Sequence, residues 1–144
     1  MSQLVHQGSF SVTMAFVTPL IGAPYKLHGR DPKLGWDCWG CCRYVRQGRW
    51  NRESPSWADA YDAALASSVE AVERLIQERL GTWVECDLVE GAALLFKVFG
   101  RKAHVGTYLG KGLFIHALQG CETAVEHLDN GRWKGRLVSA YECR

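Results

Sequence analysis

Cys38 stands within Gly35-Trp36-Asp37-Cys38-Trp39-Gly40, and two histidines follow far downstream, in His104-Val105-Gly106 and Phe114-Ile115-His116-Ala117. A thiol at a loop-to-helix junction, an imidazole on a strand and a third polar group to orient it are the parts of cysteine-based nucleophilic catalysis. A neutral thiol attacks poorly, and a helix N-terminus and a neighbouring imidazole both favour the thiolate. The chain is a candidate cysteine hydrolase.

The two histidines fall in one hairpin, residues 103–118, and the alternation along it tests whether they can meet. One alternating set, Val105, Thr107, Leu109, Leu113, Ile115 and Ala117, is almost wholly apolar; the other holds His104, Gly106, Tyr108, Phe114, His116 and Leu118. If Gly110-Lys111-Gly112 forms a three-residue loop, His104 and His116 become diagonal neighbours on one face, with backbones about 7–8 Å apart. An even-numbered loop puts them on opposite faces. The apolar alternation favours the first arrangement. His6, His28 and His127 have no such company.

The elements that must position these groups can be read along the chain. Residues 1–12 lack periodicity and are expected to be a flexible arm, leaving 13–144 as the domain. Residues 13–21 read as a short helix with Pro19 as a late kink or stop. Residues 28–35 read as a loop punctuated by Gly29, Pro32 and Gly35. Asp37 can cap a helix from Cys38 to Arg46, ended by Gly48. Ser56 and Asp59 form a capping box before a long helix over 57–80. Its apolar stripe is Tyr61, Leu65, Val69, Val72, Leu75 and Ile76, with Glu70 and Arg74 paired outward. From Val84 the pattern becomes short β-rich runs, 92–99, 103–109, 113–118, 123–128 and 136–141, separated by glycine-containing turns. Helices first and strands second predict an α+β fold, with N-terminal helices packed on a meandering antiparallel sheet of about five to six strands.

Composition narrows the class. The 144 residues, 47% hydrophobic and 22% charged, suit one ordinary domain with its own core. A net charge of +2, with basic residues scattered but for Arg43, Arg46, Arg49 and Arg52, gives no nucleic-acid footprint. No run of 18 apolar residues is present, so no membrane span is expected. Residues 1–16 show neither a basic start nor a continuous apolar run, so no secretory leader is expected. Synthesis in a reducing cytoplasm then keeps most of the six cysteines as free thiols. Cys38, Cys41 and Cys42 contain a C-x-x-C pair without the second half of a tetrahedral site. Neither a metal nor a cofactor is expected, and Cys41, Cys42, Cys86, Cys121 and Cys143 read as small buried hydrophobes.

The motifs resemble those of the NlpC-type peptidases, papain-like cysteine peptidases of bacterial cell walls with a branch carried by phage tails and gene-transfer particles. Ile21-Gly22-Ala23-Pro24-Tyr25 is similar to the family's Gly-x-Pro-Tyr segment, and Trp36-Asp37-Cys38-Trp39-Gly40 to its nucleophile motif. Val89-Glu90-Gly91-Ala92-Ala93-Leu94-Leu95-Phe96 is similar to the strand that usually opens with Gly-Asp. His104-Val105-Gly106-Thr107-Tyr108-Leu109-Gly110 is similar to the base motif, and Phe114-Ile115-His116-Ala117 to the third-residue motif. The likeness runs from about Phe16 to Tyr141. Trp39 stands where Ser is most common, and Ala92 where Asp follows the glycine.

The resemblance implies Cys38 as nucleophile, His104 as general base and acid, and His116 as the residue orienting His104. Tyr25 would sit beside the thiol and help bind the substrate carbonyl, with Asp37 and Trp39 counted among the substrate-binding residues. The implied substrate is the stem peptide of peptidoglycan, cut at a bond such as D-glutamyl to diaminopimelate. With neither a leader nor wall-binding repeats expected, the phage-tail branch is favoured: a tail-tip or hub peptidase made in the bacterial cytoplasm, carried in a virion tail or gene-transfer particle, acting in the periplasm beside other tail proteins. A non-catalytic tail-tip component, a papain-like amidase or acyltransferase, and a metal-bearing structural protein are the alternatives.

Overall fold

A computed structural model describes residues 2–54, 78, 83–98 and 101–142. Helix α1 (Ser2–Val17) runs into a 3-10 turn, Thr18–Leu20. A two-stranded ribbon, β1 (Arg30–Asp31) and β2 (Gly35–Trp36), leads into α2 (Cys38–Trp50). Six strands follow: β3 (Val84–Cys86), β4 (Ala93–Val98), β5 (Arg101–Gly110), β6 (Leu113–His116), β7 (Ala124–His127) and β8 (Leu137–Glu142). They form one antiparallel sheet in the order β3-β8-β4-β5-β6-β7. The fold is α+β. Strands β4 to β7 are the expected meander, and β8 returns across the sheet to pair with β4.

Alternation along β5 and β6 separates two cores. Leu109, Ile115 and Ala117 pack with Cys41 and Val45 of α2 and with Val17, Leu20 and Trp36. Phe114, on the other face, packs with Ala92, Leu94, Phe96, Trp133 and Ala140. The apolar set expected to face the core therefore does so, and the histidine-bearing set lines a second core. Cys42 Sγ meets the Gly106 carbonyl at 3.5 Å, which draws α2 along β5.

Several expectations meet a different outcome. Residues 2–12, expected as a flexible arm without periodicity, are helical as part of α1. Before its apolar last turn, where Val17 joins the core, it is anchored by polar contacts: Ser9 Oγ donates to Glu90 at 3.2 Å, and buried Thr13 accepts from Arg49 Nε at 2.9 Å. Phe10 also carries the Lys111 ammonium 4.4 Å from its ring centroid. Helix α2 does not end at Gly48, which packs against the Phe16 ring; it continues to Trp50 and is closed by Asn51 in the left-handed region, φ +54°. The expected 28–35 loop contains β1 and β2, and β3 is an additional strand. Cys41 and Cys42 are buried as expected, whereas Cys86 is half-buried and Cys121 exposed. Cys38 and these four are not in disulfides. The long helix expected over 57–80 and Cys143 lie outside the described residues, apart from helical Glu78.

Arg46 ties the helix to the sheet. Its fully buried guanidinium donates to the Gly91 carbonyl, approaches Glu142 at 3.5 Å and lies 5.1 Å from the Trp83 ring centroid. Arg46→Ala strips the Gly91 carbonyl of its donor and Glu142 of a charge partner, and is expected to cost about 3 kcal/mol, read by urea denaturation. A loss below about 1 kcal/mol would show that the buried ion has no structural role.

Candidate active site

The first turn of α2 is fixed by Asp37. Its buried carboxylate accepts from Gly40 N at 2.8 Å as the helix N-cap, from His28 N at 2.9 Å, and from Arg30 Nη1 at 3.0 Å. Gly40 allows this close approach, because a Cβ there would lie 2.2 Å from the Gly29 carbonyl oxygen. Cys38, 8% exposed, is the first residue of the helix and stands where the helix dipole favours negative charge. Tyr25 is brought beside it by a bridge to Trp36. Burial first, then the neighbouring Cys38 and Asp37 charges, push the Tyr25 phenol far above its usual range, so it remains a proton donor.

The hairpin brings the two histidines together, though not by the expected loop. The turn itself is Lys111-Gly112, both with positive φ (+53° and +80°), which is the two-residue type I′ geometry. Taken alone, such an even loop would separate the histidines. A one-residue bulge between Tyr108 and Gly110 restores the parity: Tyr108 pairs with Phe114 and Thr107 with Ile115. His116 then lies opposite Gly106, diagonal to His104, and His104 Nε2 meets His116 Nδ1 at 2.8 Å.

A third group completes this chain. His116 Nε2 meets Glu126 Oε2 at 2.5 Å, and the same oxygen accepts from Trp133 Nε1 at 2.8 Å. Trp133 stacks on His104 at 5.7 Å between centroids and stands edge-on to His116 at 4.7 Å. The rings are 4% and 2% exposed. Burial, and then His116, hold His104 well below the ordinary imidazole range. Burial also lowers His116, opposed by its hydrogen bond to Glu126 and that carboxylate's charge, while Arg132 adds to the lowering. Both rings are therefore neutral at neutral pH.

Of the residues singled out in the sequence, His104 and His116 are joined directly, and Cys38 and Tyr25 share the α2 N-terminus. Asp37 and Trp39 flank Cys38 at the same helix start. The Asp37 carboxylate is occupied by capping and by Arg30, and Trp39, 2% exposed, packs edge-on to Trp83 at 5.8 Å. Glu126 and Trp133 were missed. Glu126 pairs with Phe114 across β6 and β7 and so faces His116's side of the sheet. The connection over 117–123 gives no countable turn from which that register could be read. Among the described residues, no three His, Cys, Asp or Glu side chains are grouped as a metal would require.

Comparison with known proteins places these features in context. The NlpC/P60 family model matches residues 22–142. The murein DD-endopeptidase MepH of Escherichia coli is 28% identical over 138 residues, covering 93% of this chain; the chain spans 46% of that protein's length. The NlpC/p60 domain of the peptidoglycan hydrolase SagA is 27% identical, with a TM-score of 0.58 over 92% of this chain and 97% of that domain. An NlpC/P60 family protein of Bacillus cereus, 16% identical, shares the fold with a TM-score of 0.61, over 92% of this chain and 39% of its own.

The depressed imidazoles carry a pH prediction. A group whose folded pKa lies below its unfolded value of 6.5 is protonated first in the unfolded chain. Stability from the neutral pair is thus fully present above about pH 7 and is lost as pH falls through the unfolded pKa toward the folded one. Between pH 7 and 5, unfolding free energy of the native protein should fall more steeply than that of His104→Gln, by up to about one proton. Parallel pH profiles of the two proteins would contradict the neutral assignment of His104.

Proposed function

The chain belongs to the NlpC/P60 family, and from that premise we propose that it is a cysteine endopeptidase cutting amide bonds in peptidoglycan stem peptides. The observation that carries the reading is the buried His104–His116 pair at 2.8 Å, on a strand drawn against the helix that begins at Cys38. The names of MepH and SagA, a murein endopeptidase and a peptidoglycan hydrolase, support the substrate class.

The His104–His116 bond uses His104 Nε2 and leaves Nδ1 as the nitrogen to serve Cys38. As the sulfur attacks the amide carbonyl carbon, the thiol proton passes to His104 Nδ1 and a tetrahedral oxyanion forms. The Tyr25 phenol and the N–H groups at the start of α2 stabilise that oxyanion. The C–N bond then breaks, and His104 returns the proton to the leaving amine. Water attacks the thioester, giving a proton to His104; the C–S bond breaks and the proton returns to sulfur. His116 holds the ring throughout. His104 thus serves as general base in the attack and as general acid toward the leaving amine.

The finer reading is of a phage tail-tip or hub peptidase, carried in a virion tail or gene-transfer particle with other tail proteins and acting in the periplasm. Its support is that the family the motifs resemble includes a branch carried by such particles. Mass spectrometry of purified particles should find the chain at a fixed ratio to tail proteins, and its absence from them would remove this reading.

Incubation with purified muropeptides, with products identified by mass, tests the activity and reads the bond. Cys38→Ala and Cys38→Ser should both yield no product while remaining folded. His104→Ala should lower turnover by about 10²–10⁴-fold, and His116→Gln should retain more activity than His116→Ala. Equal hydrolysis by native protein and Cys38→Ala would overturn the assignment.

A further inference from the structure

We propose that Glu126 is a positioning residue that sets the tautomers of both imidazoles and thereby leaves His104 able to take the thiol proton. The inference rests on the proposed peptidase reading and extends it by one residue. Its basis is geometric: His104 Nε2 to His116 Nδ1 at 2.8 Å, His116 Nε2 to Glu126 Oε2 at 2.5 Å, and Trp133 Nε1 to the same oxygen at 2.8 Å.

An ionised carboxylate only accepts hydrogen bonds. Glu126 therefore requires the neutral His116 ring to carry its proton on Nε2, which leaves a lone pair on Nδ1. That lone pair must be met by a hydrogen on His104 Nε2. His104 consequently has its own lone pair on Nδ1, the form a base needs. Reverse the His116 tautomer and the logic reverses: Nδ1–H donates to His104 Nε2, the His104 proton moves to Nδ1, and the base is blocked. Nothing in the His–His contact itself distinguishes these two arrangements; the carboxylate does. Trp133 holds the accepting oxygen in place and covers both rings, so water does not substitute for the carboxylate at will. When His104 becomes cationic, the same carboxylate lies two hydrogen bonds away and favours that charge.

A merely structural Glu126 would support the fold without fixing protons, so the test reads the protons. In the full chain with ¹⁵N-labelled histidine, at roughly pH 8 where ordinary imidazoles are neutral, ring nitrogen shifts should report Nε2–H for both His104 and His116. Glu126→Met and Glu126→Ala, which remove the acceptor with and without its bulk, should shift His116 toward Nδ1–H and put the His104 proton on Nδ1. Their kcat on muropeptides should fall at least about tenfold, with KM within about twofold. Glu126→Gln, whose amide oxygen still accepts, should restore the Nε2–H forms and most of kcat. A native His104 found as Nδ1–H, persistence of both Nε2–H forms in either acceptor-free variant, or a Gln variant as impaired as Met would overturn the proposal. Should the native protein cut no muropeptide, the peptidase reading fails, while the ring shifts still decide the role of Glu126.

Discussion

A single inserted residue between Tyr108 and Gly110 decides which face of the sheet carries His104. The Lys111-Gly112 turn suits the right-handed twist of the strands, and its two positive φ angles give a tight hairpin. With an unbroken ladder that turn would set His104 and His116 on opposite sides. It would also turn Val105 and Thr107 away from α2 or force Ile115 and Ala117 out of it. The bulge thus satisfies two demands at once. It lets Leu109, Ile115 and Ala117 share the α2 core, and it lines up the imidazoles on the other face. Packing and chemistry are set by one register, so a slip that lost the site would also expose much of the core.

Burying a polar chain is costly unless each member has a partner. Here the partners are arranged in series, from His104 to His116 to Glu126, with Trp133 closing the end. The one formal charge sits at the outer end, on β7 at the edge of the sheet, where the Glu126 side chain is 20% exposed. Water shares in solvating the carboxylate, which limits its desolvation penalty. The interior members are neutral rings, which cost far less to bury than ions. Aromatic packing from Phe96, Phe114 and Trp133 fills the space around them.

Much of this was legible in the sequence because it follows from alternation and capping. Asp37 before Cys38 marked the start of α2, and the apolar set through Val105 and Ile115 marked one of the hairpin's two buried faces. The pairing of His104 with His116 followed from an odd-numbered connection, although the structure makes it odd by a turn and a bulge instead of a three-residue loop. Other features had no periodic signal. Helix α1 is held by Ser9, Thr13 and Phe10 contacts to residues distant in the chain. Glu126 needed the β6–β7 register, and Asp37's full set of partners needed the approach of the His28 and Arg30 backbone and side chain. In each case a long-range contact decided what local pattern left open.

The two carboxylates of the site act on different groups and are compensated differently. Asp37, beside the thiol, would by itself oppose a thiolate. Arg30 at 3.0 Å and the N–H donors of Gly40 and His28 offset that charge, so the positive end of α2 still governs Cys38. What remains of the Asp37 field falls on Tyr25, where it helps to keep the phenol protonated. Among the described residues Glu126 has no cation in so close a contact; its charge is met by the His116 and Trp133 N–H groups and remains available to favour positive charge on the rings. One carboxylate is therefore neutralised where negative charge must develop on sulfur, and the other is left charged where positive charge must develop on imidazole. That asymmetry suits a site in which a proton leaves Cys38 for His104 while Tyr25 keeps its own.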